Sequence, residues 1–188
     1  AKQMKNMVED LFEYTKVQQH GAPVNIMSVD LGQLLEQVSA SFELEGENKG
    51  IQVSSQTTPS PLMIDADPEK LGRVFSNLVA NGIKYGHGAS YIKLNAQQHG
   101  DNVVVTVAND GEPIPKESIA HLSERFYRVE ASRSKATAGT GLGLAIVKSV
   151  VDLHHGTVQV KSDDHETAFI VTLPTKQGDS KKNNAQTH

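Results

Sequence analysis

The sequence contains no cysteine and no tryptophan, and aromatic residues make up only 5% of its 188 residues. Without cysteine, the chain has no disulfide framework, no thiol nucleophile and no thiolate zinc site. Its 18 Lys and Arg residues stand against 22 Asp and Glu residues, and this mild acidity argues against a general nucleic-acid binder, which needs a basic surface. No apolar run approaches the roughly 18–20 residues of a membrane span. Any ligand must therefore be recognised by local groups of residues rather than by bulk charge.

Helical and strand patterns alternate along most of the chain. Asp30 and Asp67-Pro68 have the features of helix starts, because Asp is a good N-cap and Pro fits the first turn. Further helical patterns cover residues 116–127 and 142–153. Strand patterns cover residues 51–56, 62–65, 91–98, 102–109, 157–161 and 168–173. This order predicts an α+β fold, a two-layer sandwich whose mixed, mostly antiparallel sheet is covered on one face by helices.

An apolar stripe at heptad spacing lies at the beginning of the chain, before a break at Gly21-Ala22-Pro23. The stripe consists of Met4, Met7, Leu11 and Tyr14. An ordinary docking helix and the end of a truncated helical hairpin explain it equally well. Because the stripe starts at the edge of the chain and residue 1 is alanine, we expect the chain to be a piece of a longer protein.

A glycine-rich segment, Gly139–Leu144, precedes the last predicted helix. Glycines in front of a helix allow backbone N–H groups to approach an anion closely. The spacing fails the dinucleotide fingerprint, because the third glycine would have to stand at Leu144. It also fails the P-loop, because Lys148-Ser149 follows Val147 instead of glycine. A plain flexible turn is the alternative for this segment taken alone.

The helix after Asp67 has a polar stripe beside its apolar one. Asn77, Asn81 and Lys84 are separated by four and three residues, so they share one helix face. Asparagine competes for backbone hydrogen bonds inside a helix and is a poor choice there, yet its amide oxygen suits Mg²⁺. The pattern indicates a ligand-facing row, with a solvated helix edge as the alternative.

The strand over residues 102–109 ends in adjacent polar residues, Asn109 and Asp110. Side chains alternate along a strand, so Asn109 shares a face with three valines and Asp110 shares the face of Thr106. The valine face should pack against helices. We therefore predict that Asn109, and not Asp110, points into an interior pocket, the alternative being a strand that simply ends in a turn.

Taken together, the order and spacing of these segments resemble the catalytic domain of sensor histidine kinases. The resemblance covers essentially residues 30–174. Residues 77–85 (NLVANGIKY) resemble the N box of that family and residues 109–114 (NDGEPI) its G1 box. Residues 124–128 (ERFYR) are similar to the F box, residues 139–148 (GTGLGLAIVK) to the G2 box, and residues 167–174 to the closing strand.

The resemblance implies a Bergerat-type fold that binds ATP with Mg²⁺. It makes Asn81 the Mg²⁺ ligand and gives Asn77, Lys84, Arg128 and Arg133 catalytic roles around the phosphates. The residues implied to bind the nucleotide are Asn77, Asn81, Lys84, Tyr85, Asn109, Gly111, Ile114, Tyr127, Arg128, Arg133, Gly139, Thr140, Gly141, Leu142, Gly143, Leu144 and Thr167. A lid over the nucleotide is implied for residues 129–140.

Two positions refine what the resemblance implies about the reaction. Asn77 stands where related ATPases such as DNA gyrase carry a glutamate that serves as general base for water. An amide cannot take a proton, so Asn77 favours transfer to a nucleophile over hydrolysis. Asn109 replaces the adenine-reading aspartate of the family, from which we expect weaker discrimination of adenine against guanine.

The resemblance also implies a domain organisation. Residues 1–20 would be the end of the second helix of a dimerisation and phosphoacceptor domain, residues 21–29 a linker, residues 30–175 the catalytic domain, and residues 176–188 a disordered tail. None of the eight histidines is followed by an acidic residue and, four positions on, a proline, as the phosphoacceptor of the family is. We therefore expect the chain to bind ATP without phosphorylating itself.

The implied partners are the chain's own dimerisation and phosphoacceptor domain, a response regulator and, in the full-length protein, a second copy, with no direct nucleic-acid partner. The implied location is the cytoplasmic side of the cell membrane, with this piece itself soluble. The alternative function is that of a regulatory pseudo-kinase, which binds ATP as a switch and transfers no phosphate.

Overall fold

A five-stranded sheet with helices on one face organises the chain. The computed structural model describes residues 23–127 and 141–178. The strands of these ranges are β1 (Met27–Asp30), β2 (Gln52–Thr58), β3 (Met63–Ala66), β4 (Tyr91–His99), β5 (Asn102–Asn109), β6 (Thr157–Ser162) and β7 (Thr167–Pro174). The large sheet has the order β2-β4-β5-β7-β6, with β2 parallel to β4 and the other neighbours antiparallel. β1 and β3 form a separate antiparallel pair.

The helices begin where the sequence supplies caps. They are α1 (Leu31–Ser41), α2 (Glu43–Asn48), α3 (Pro68–Tyr85), α4 (Lys116–Tyr127) and α5 (Gly141–Leu153). Asp30 accepts hydrogen bonds from the backbone of Gly32 and Gln33, and Asp67 accepts one from Lys70. These side chains satisfy N–H groups that the first turn of a helix leaves unpaired. None of the helices in the described ranges is long and apolar enough to cross a membrane.

The core lies between the sheet and the helices α1, α3 and α5. Val103, Val105 and Val107 of β5 are at most 3% exposed, and they belong to one cluster with Phe75 of α3 and Ile146 of α5. Val104 and Thr106, which alternate with these valines, face away from the helices and are partly exposed. The predicted two-layer α+β sandwich, with its mixed and mostly antiparallel sheet, is confirmed.

The packed part of the chain extends beyond both predicted boundaries. Residues 27–29, which we assigned to the linker, lie in β1, and Val29 pairs with Ile64 of β3. The predicted tail starts at residue 176, yet the backbone of Gln177 donates to Asp65 Oδ2 at 3.3 Å. The Gln177 side chain also donates to the carbonyl of His154 at 2.8 Å. Both segments therefore belong to the fold.

A buried histidine joins the start of α3 to the end of α5. His154 is 1% exposed; its Nε2 accepts the N–H of Asp67 at 3.0 Å, and its Nδ1 donates to the carbonyl of Val150 at 2.8 Å. A ring that accepts at Nε2 carries no proton there, so this arrangement requires neutral imidazole. The carboxylate of Asp67 also accepts the N–H of Asn25 at 3.0 Å. The first described residues are thus tied to the same junction.

We expect the fold to lose stability as the pH falls below 6.5, the ordinary pKa of histidine. Burial lowers the pKa of His154, so the unfolded chain takes up a proton that the native ring resists. The contribution is present well above pH 6.5 and is lost progressively as the pH falls from there toward the lowered pKa of His154 in the folded chain. Thermal unfolding midpoints measured from pH 7.5 to 5 test this. His154→Gln keeps a hydrogen-bond donor and an acceptor but does not titrate, so its unfolding midpoint should depend less on pH. If the midpoint of this variant falls as steeply with pH as that of the wild type, the expectation is wrong.

Candidate functional site

On the helix-covered face of the sheet, the strands β5, β7 and β6 carry polar side chains at one end. Asn109, Thr167 and Ser162 are cross-strand neighbours on β5, β7 and β6, and we call them the polar row. Asn109 is 7% exposed and Thr167 is 3% exposed. On β4, β5, β7 and β6, the next residues of the same face are apolar, namely Leu94, Val107, Phe169 and Val160. On β5, β7 and β6, the polar row is therefore where this face offers hydrogen bonds to a ligand.

Three hydrogen bonds hold the side chains of the polar row in place. Asn109 Oδ1 accepts the N–H of Gly111 at 3.0 Å. Ser162 Oγ accepts the N–H of Ile114 at 2.9 Å and lies 2.6 Å from Thr167 Oγ1, with which it shares a hydrogen bond. The segment that follows β5 is thus fastened to the end of the β6–β7 hairpin.

Asp110 faces away from the helices, as the alternation predicts. Its Oδ1 accepts the N–H groups of Ser90 at 2.7 Å and Tyr91 at 3.0 Å, and its Oδ2 accepts the Ser90 hydroxyl. Tyr91 in turn donates to Glu166 at 2.7 Å, and this hydrogen bond, with partial burial, raises the pKa of Tyr91 to about 12. The prediction that Asn109 rather than Asp110 points inward is confirmed.

Two glycines bring the end of α3 against the segment after β5. A Cβ atom on Gly111 would lie 2.7 Å from the carbonyl carbon of Gly86, and one on Gly86 would lie 3.0 Å from Asn109 Oδ1. The N–H of Glu112 donates to the carbonyl of His87 at 2.9 Å, next to this contact. No side chain fits at either glycine without displacing backbone. The contact therefore sets the spacing between α3 and the polar row.

The polar stripe of α3 changes from half-buried to exposed along the helix. Asn77 Nδ2 is buried and finds no hydrogen-bond partner within the part of the chain that the structure describes. Such a donor costs about 1–3 kcal/mol, and it is a feature that needs a functional explanation. Asn81 is half-buried, whereas Lys84 and Tyr85 are exposed, with Lys84 Nζ 5.3 Å from the Tyr85 ring centroid. The stripe thus offers amide groups beside a cation, which suits a ligand that carries phosphate.

The donor set fits a metal ion that arrives with its ligand. Within residues 23–127 and 141–178 there is no group of three or more His, Cys, Asp and Glu side chains that could hold a metal ion by itself. Mg²⁺ is usually bound through one or two protein oxygens together with phosphate oxygens and water. The amide oxygen of Asn81 is a ligand of that kind. The stripe therefore suits Mg²⁺ bound to a phosphate rather than a resident metal centre.

α5 packs against α3, and its first turn contains the glycines of the predicted site. Among the described residues, none lies within 4 Å of a Cβ atom placed on Gly143, so packing against this part of the chain does not require glycine here. Leu144 is 3% exposed and belongs to the core, so only its backbone can face a ligand. Gly141 and Leu142 are the first residues of the helix. Helix N-termini present backbone N–H groups and a partial positive charge to anions.

Some predicted site residues lie outside the described residues. They are Arg128, Arg133, Gly139 and Thr140, together with the predicted lid over residues 129–140. The apolar stripe at residues 4–14 lies outside as well. Tyr127 is the last residue of α4. The roles of these residues stay predictions.

Ser162 is the member of the polar row that the sequence analysis missed. The strand pattern was ended at residue 161, whereas β6 continues to Ser162. Extending the alternation by one residue places Ser162 on the same face as the buried Val158 and Val160. That signal was present in the sequence.

Comparison with known proteins identifies the family. The family model described as histidine kinase-, DNA gyrase B-, and HSP90-like ATPase matches residues 66–177. The chain belongs to this ATPase family. The match covers α3 through β7 and so includes both the stripe of α3 and the polar row.

The relatives that the chain matches include a sensor protein and a sensor histidine kinase. The sensor protein VanS of Enterococcus faecium is 34% identical over 174 residues, which are 93% of this chain and 45% of VanS. The sensor histidine kinase CusS of Escherichia coli K12 is 34% identical over 171 residues, 91% of this chain and 35% of CusS. The chain therefore spans less than half the length of these two relatives.

The solved structures agree with this assignment. The catalytic domain of the histidine kinase ThkA superposes with a TM-score of 0.70 and 27% sequence identity, covering 81% of this chain and 97% of that domain. The resemblance to sensor histidine kinases that the four boxes indicate is thereby confirmed, as is the fold it implies.

Proposed function

We propose that the chain is the ATP-binding catalytic domain of a two-component sensor histidine kinase and that it transfers the γ-phosphate of ATP to a histidine on a separate domain. The observation that carries the proposal is the juxtaposition of the polar row with the amide stripe of α3. Both lie in the part of the chain matched by the ATPase family, and the relatives at 34% identity are sensor kinases. The two features provide hydrogen bonds for a base at one end and ligands for phosphate at the other.

The base end of the site is assigned to the polar row. Asn109 and Thr167 would form hydrogen bonds with the adenine ring, while Gly111 and Ile114 line the turn above it. Tyr85 at the end of α3 would contact the ribose. Support comes from the burial of Asn109 and Thr167 and from the glycine contact that holds α3 against the row. The weaker discrimination against guanine that Asn109 implies stays a prediction.

The phosphate end is assigned to α3 and to the start of α5. Asn81 would supply an amide oxygen to Mg²⁺, which neutralises charge on the phosphates when bound. Lys84 would pair with a phosphate, and the backbone at Gly141 and Gly143, together with Gly139, Thr140 and Leu142, would donate N–H groups. Arg128 and Arg133 are assigned to the terminal phosphate. Positioning and charge stabilisation of this kind account for most of the catalysis of phosphoryl transfer.

The reaction is assigned as transfer rather than hydrolysis. Asn77 has no basic atom that could remove a proton from water, and a histidine side chain is itself a nucleophile when neutral. The γ-phosphorus would form a bond to an imidazole nitrogen as its bond to the bridging oxygen breaks, and ADP would leave. Nothing in the described residues favours the pseudo-kinase alternative over this reaction.

The partners follow from the same assignment. Residues 1–20 are proposed to end the second helix of the dimerisation and phosphoacceptor domain, which supplies the histidine and pairs two copies of the full-length protein. A response regulator would accept the phosphate next. The full-length protein is placed at the cytoplasmic side of the cell membrane, as for a sensor kinase.

Labelling in trans tests the proposal. We expect the chain, incubated with radiolabelled ATP and Mg²⁺, to label the phosphoacceptor hairpin of a related sensor kinase and to remain unlabelled itself. The label should be lost in acid and kept in base, as phosphohistidine is. The relative's own catalytic domain serves as positive control, and a hairpin without its acceptor histidine serves as negative control. ATP binding without any label on an acceptor that the positive control labels would support the pseudo-kinase instead.

A further inference from the structure

We propose that Ser162 is a positioning residue for the nucleotide base, because its hydroxyl holds Thr167 and Ile114 in the orientation in which they meet the ligand. The inference rests on the proposed function, since it concerns the base end of the same site. Ser162 does not itself need to touch the base. Its hydroxyl is the one polar group of β6 in the polar row, at the edge of the sheet.

The β6–β7 turn does not depend on the Ser162 hydroxyl. Ser162 and Thr167 are the last cross-strand pair before the turn. The turn itself is fixed by Asp163, whose Oδ1 accepts the N–H groups of His165 at 2.8 Å and Glu166 at 2.9 Å. The N–H of Asp163 also donates to the carbonyl of Glu166 at 3.1 Å. The hydroxyl can therefore be removed without removing the bonds that form the hairpin.

The Ser162 hydroxyl holds the two segments that flank Asn109. On one side, Thr167 is the cross-strand partner of Asn109, and its Oγ1 lies 2.6 Å from Ser162 Oγ. On the other side, the N–H of Ile114, five residues along the chain, donates to the same oxygen at 2.9 Å. Ser162 thus joins, through one oxygen, the strand beside Asn109 and the segment that leaves it.

This double contact fixes two properties of the site. The hydrogen bond between Ser162 and Thr167 restricts the Thr167 hydroxyl to a narrow range of directions. The bond to Ile114 places the segment after Gly111, which has no strand or helix of its own to fix it before α4 begins. Loss of the hydroxyl should leave the sheet intact and loosen only the groups around the base.

The test compares two ligands that share their phosphates and differ in the base. We expect Ser162→Ala to raise the Kd for Mg-ATP about five- to tenfold, the loss that corresponds to one hydrogen bond of ordinary strength. The Kd for Mg-tripolyphosphate, which has no base, should not change. Ser162→Thr retains the hydroxyl at the partly exposed edge of the sheet and should restore ATP binding to within about twofold.

Ser90→Ala is the matched control. Ser90 also bonds through its hydroxyl to a residue next to Asn109, namely Asp110, but on the face of the sheet away from the helices. Its loss should change neither Kd. Circular dichroism and unfolding midpoints of the three variants verify that all of them fold.

A double-mutant cycle with Thr167→Val tests whether Ser162 affects ATP affinity through Thr167. If Ser162 acts through Thr167, Ser162→Ala should cost less ATP affinity in the Thr167→Val background than in the wild type. The coupling between the two substitutions also tests the inference if tripolyphosphate binds too weakly for its Kd to be measured. Unchanged ATP affinity in Ser162→Ala, equal losses for both ligands, or fully additive losses in the cycle would overturn the inference. Failure of the wild-type chain to bind ATP would instead overturn the proposed function.

Discussion

Replacing Asn81 with alanine is expected to lower phosphotransfer to an acceptor hairpin by about 100-fold or more, a loss typical of removing a group that stabilises developing charge. Asn81 is half-buried on α3, one turn after Asn77, and no acidic cluster in the described residues could take over the metal. Without the amide oxygen of Asn81, Mg²⁺ would keep only phosphate and water ligands. ATP binding should then become nearly independent of Mg²⁺.

Two measurements check this expectation. Phosphotransfer is followed with radiolabelled ATP, and ATP affinity is measured with Mg²⁺ and with a chelator. Asn95→Ala is a suitable control, because Asn95 is exposed on β4 and pairs with Thr106 on the face away from the helices. If the Asn81 variant transfers phosphate at the wild-type rate, the metal is held by other residues.

Gly143→Ala is expected to raise the stability of the fold while lowering its affinity for ATP. The added Cβ meets nothing within 4 Å among residues 23–127 and 141–178, and alanine is a better helix residue than glycine by about 0.5–1 kcal/mol. The unfolding midpoint should therefore rise by about 1–4 °C. ATP affinity should fall by about tenfold or more, because the methyl group stands where phosphate oxygens would approach the backbone.

Gly72→Ala provides the matched comparison. Gly72 is also inside a helix, α3, and its Cβ would likewise meet nothing within 4 Å. This variant should gain stability and bind ATP as the wild type does. A Gly143 variant that is more stable and binds ATP with unchanged affinity would show that the phosphates do not lie at the start of α5.

Much of the site was predictable because its signals are local. The alternation of side chains along β5 determines that Asn109 faces the helices while Asp110 does not, and no distant contact is needed for that conclusion. The same holds for α3, where Asp67 as N-cap and the spacing of Asn77 and Asn81 follow from helix geometry alone. Local rules therefore identify the side chains of β5 and α3 that belong to the candidate site.

The remaining features depend on contacts between distant parts of the chain. β1 has only four residues, and it is a strand because β3 pairs with it; its own pattern is too short to predict one. The neighbours of Asn109 in the polar row depend on the register between β5, β7 and β6, which no single segment encodes. Gln177 is ordered by its bonds to Asp65 and His154, which lie far from it in sequence. Tertiary contacts override local pattern in all three cases.

The hydrogen bonds of Asn25 and Gln177 have a consequence for protein engineering. Asn25 is tied to Asp67 and Gln177 to Asp65, two residues apart at the end of β3, so Asn25 and Gln177 lie close to the same end of that strand. Modules with neighbouring ends tolerate insertion into loops of other proteins and circular permutation. The domain can thus be spliced into a host through a single pair of junctions, with its polar row and α3 left untouched.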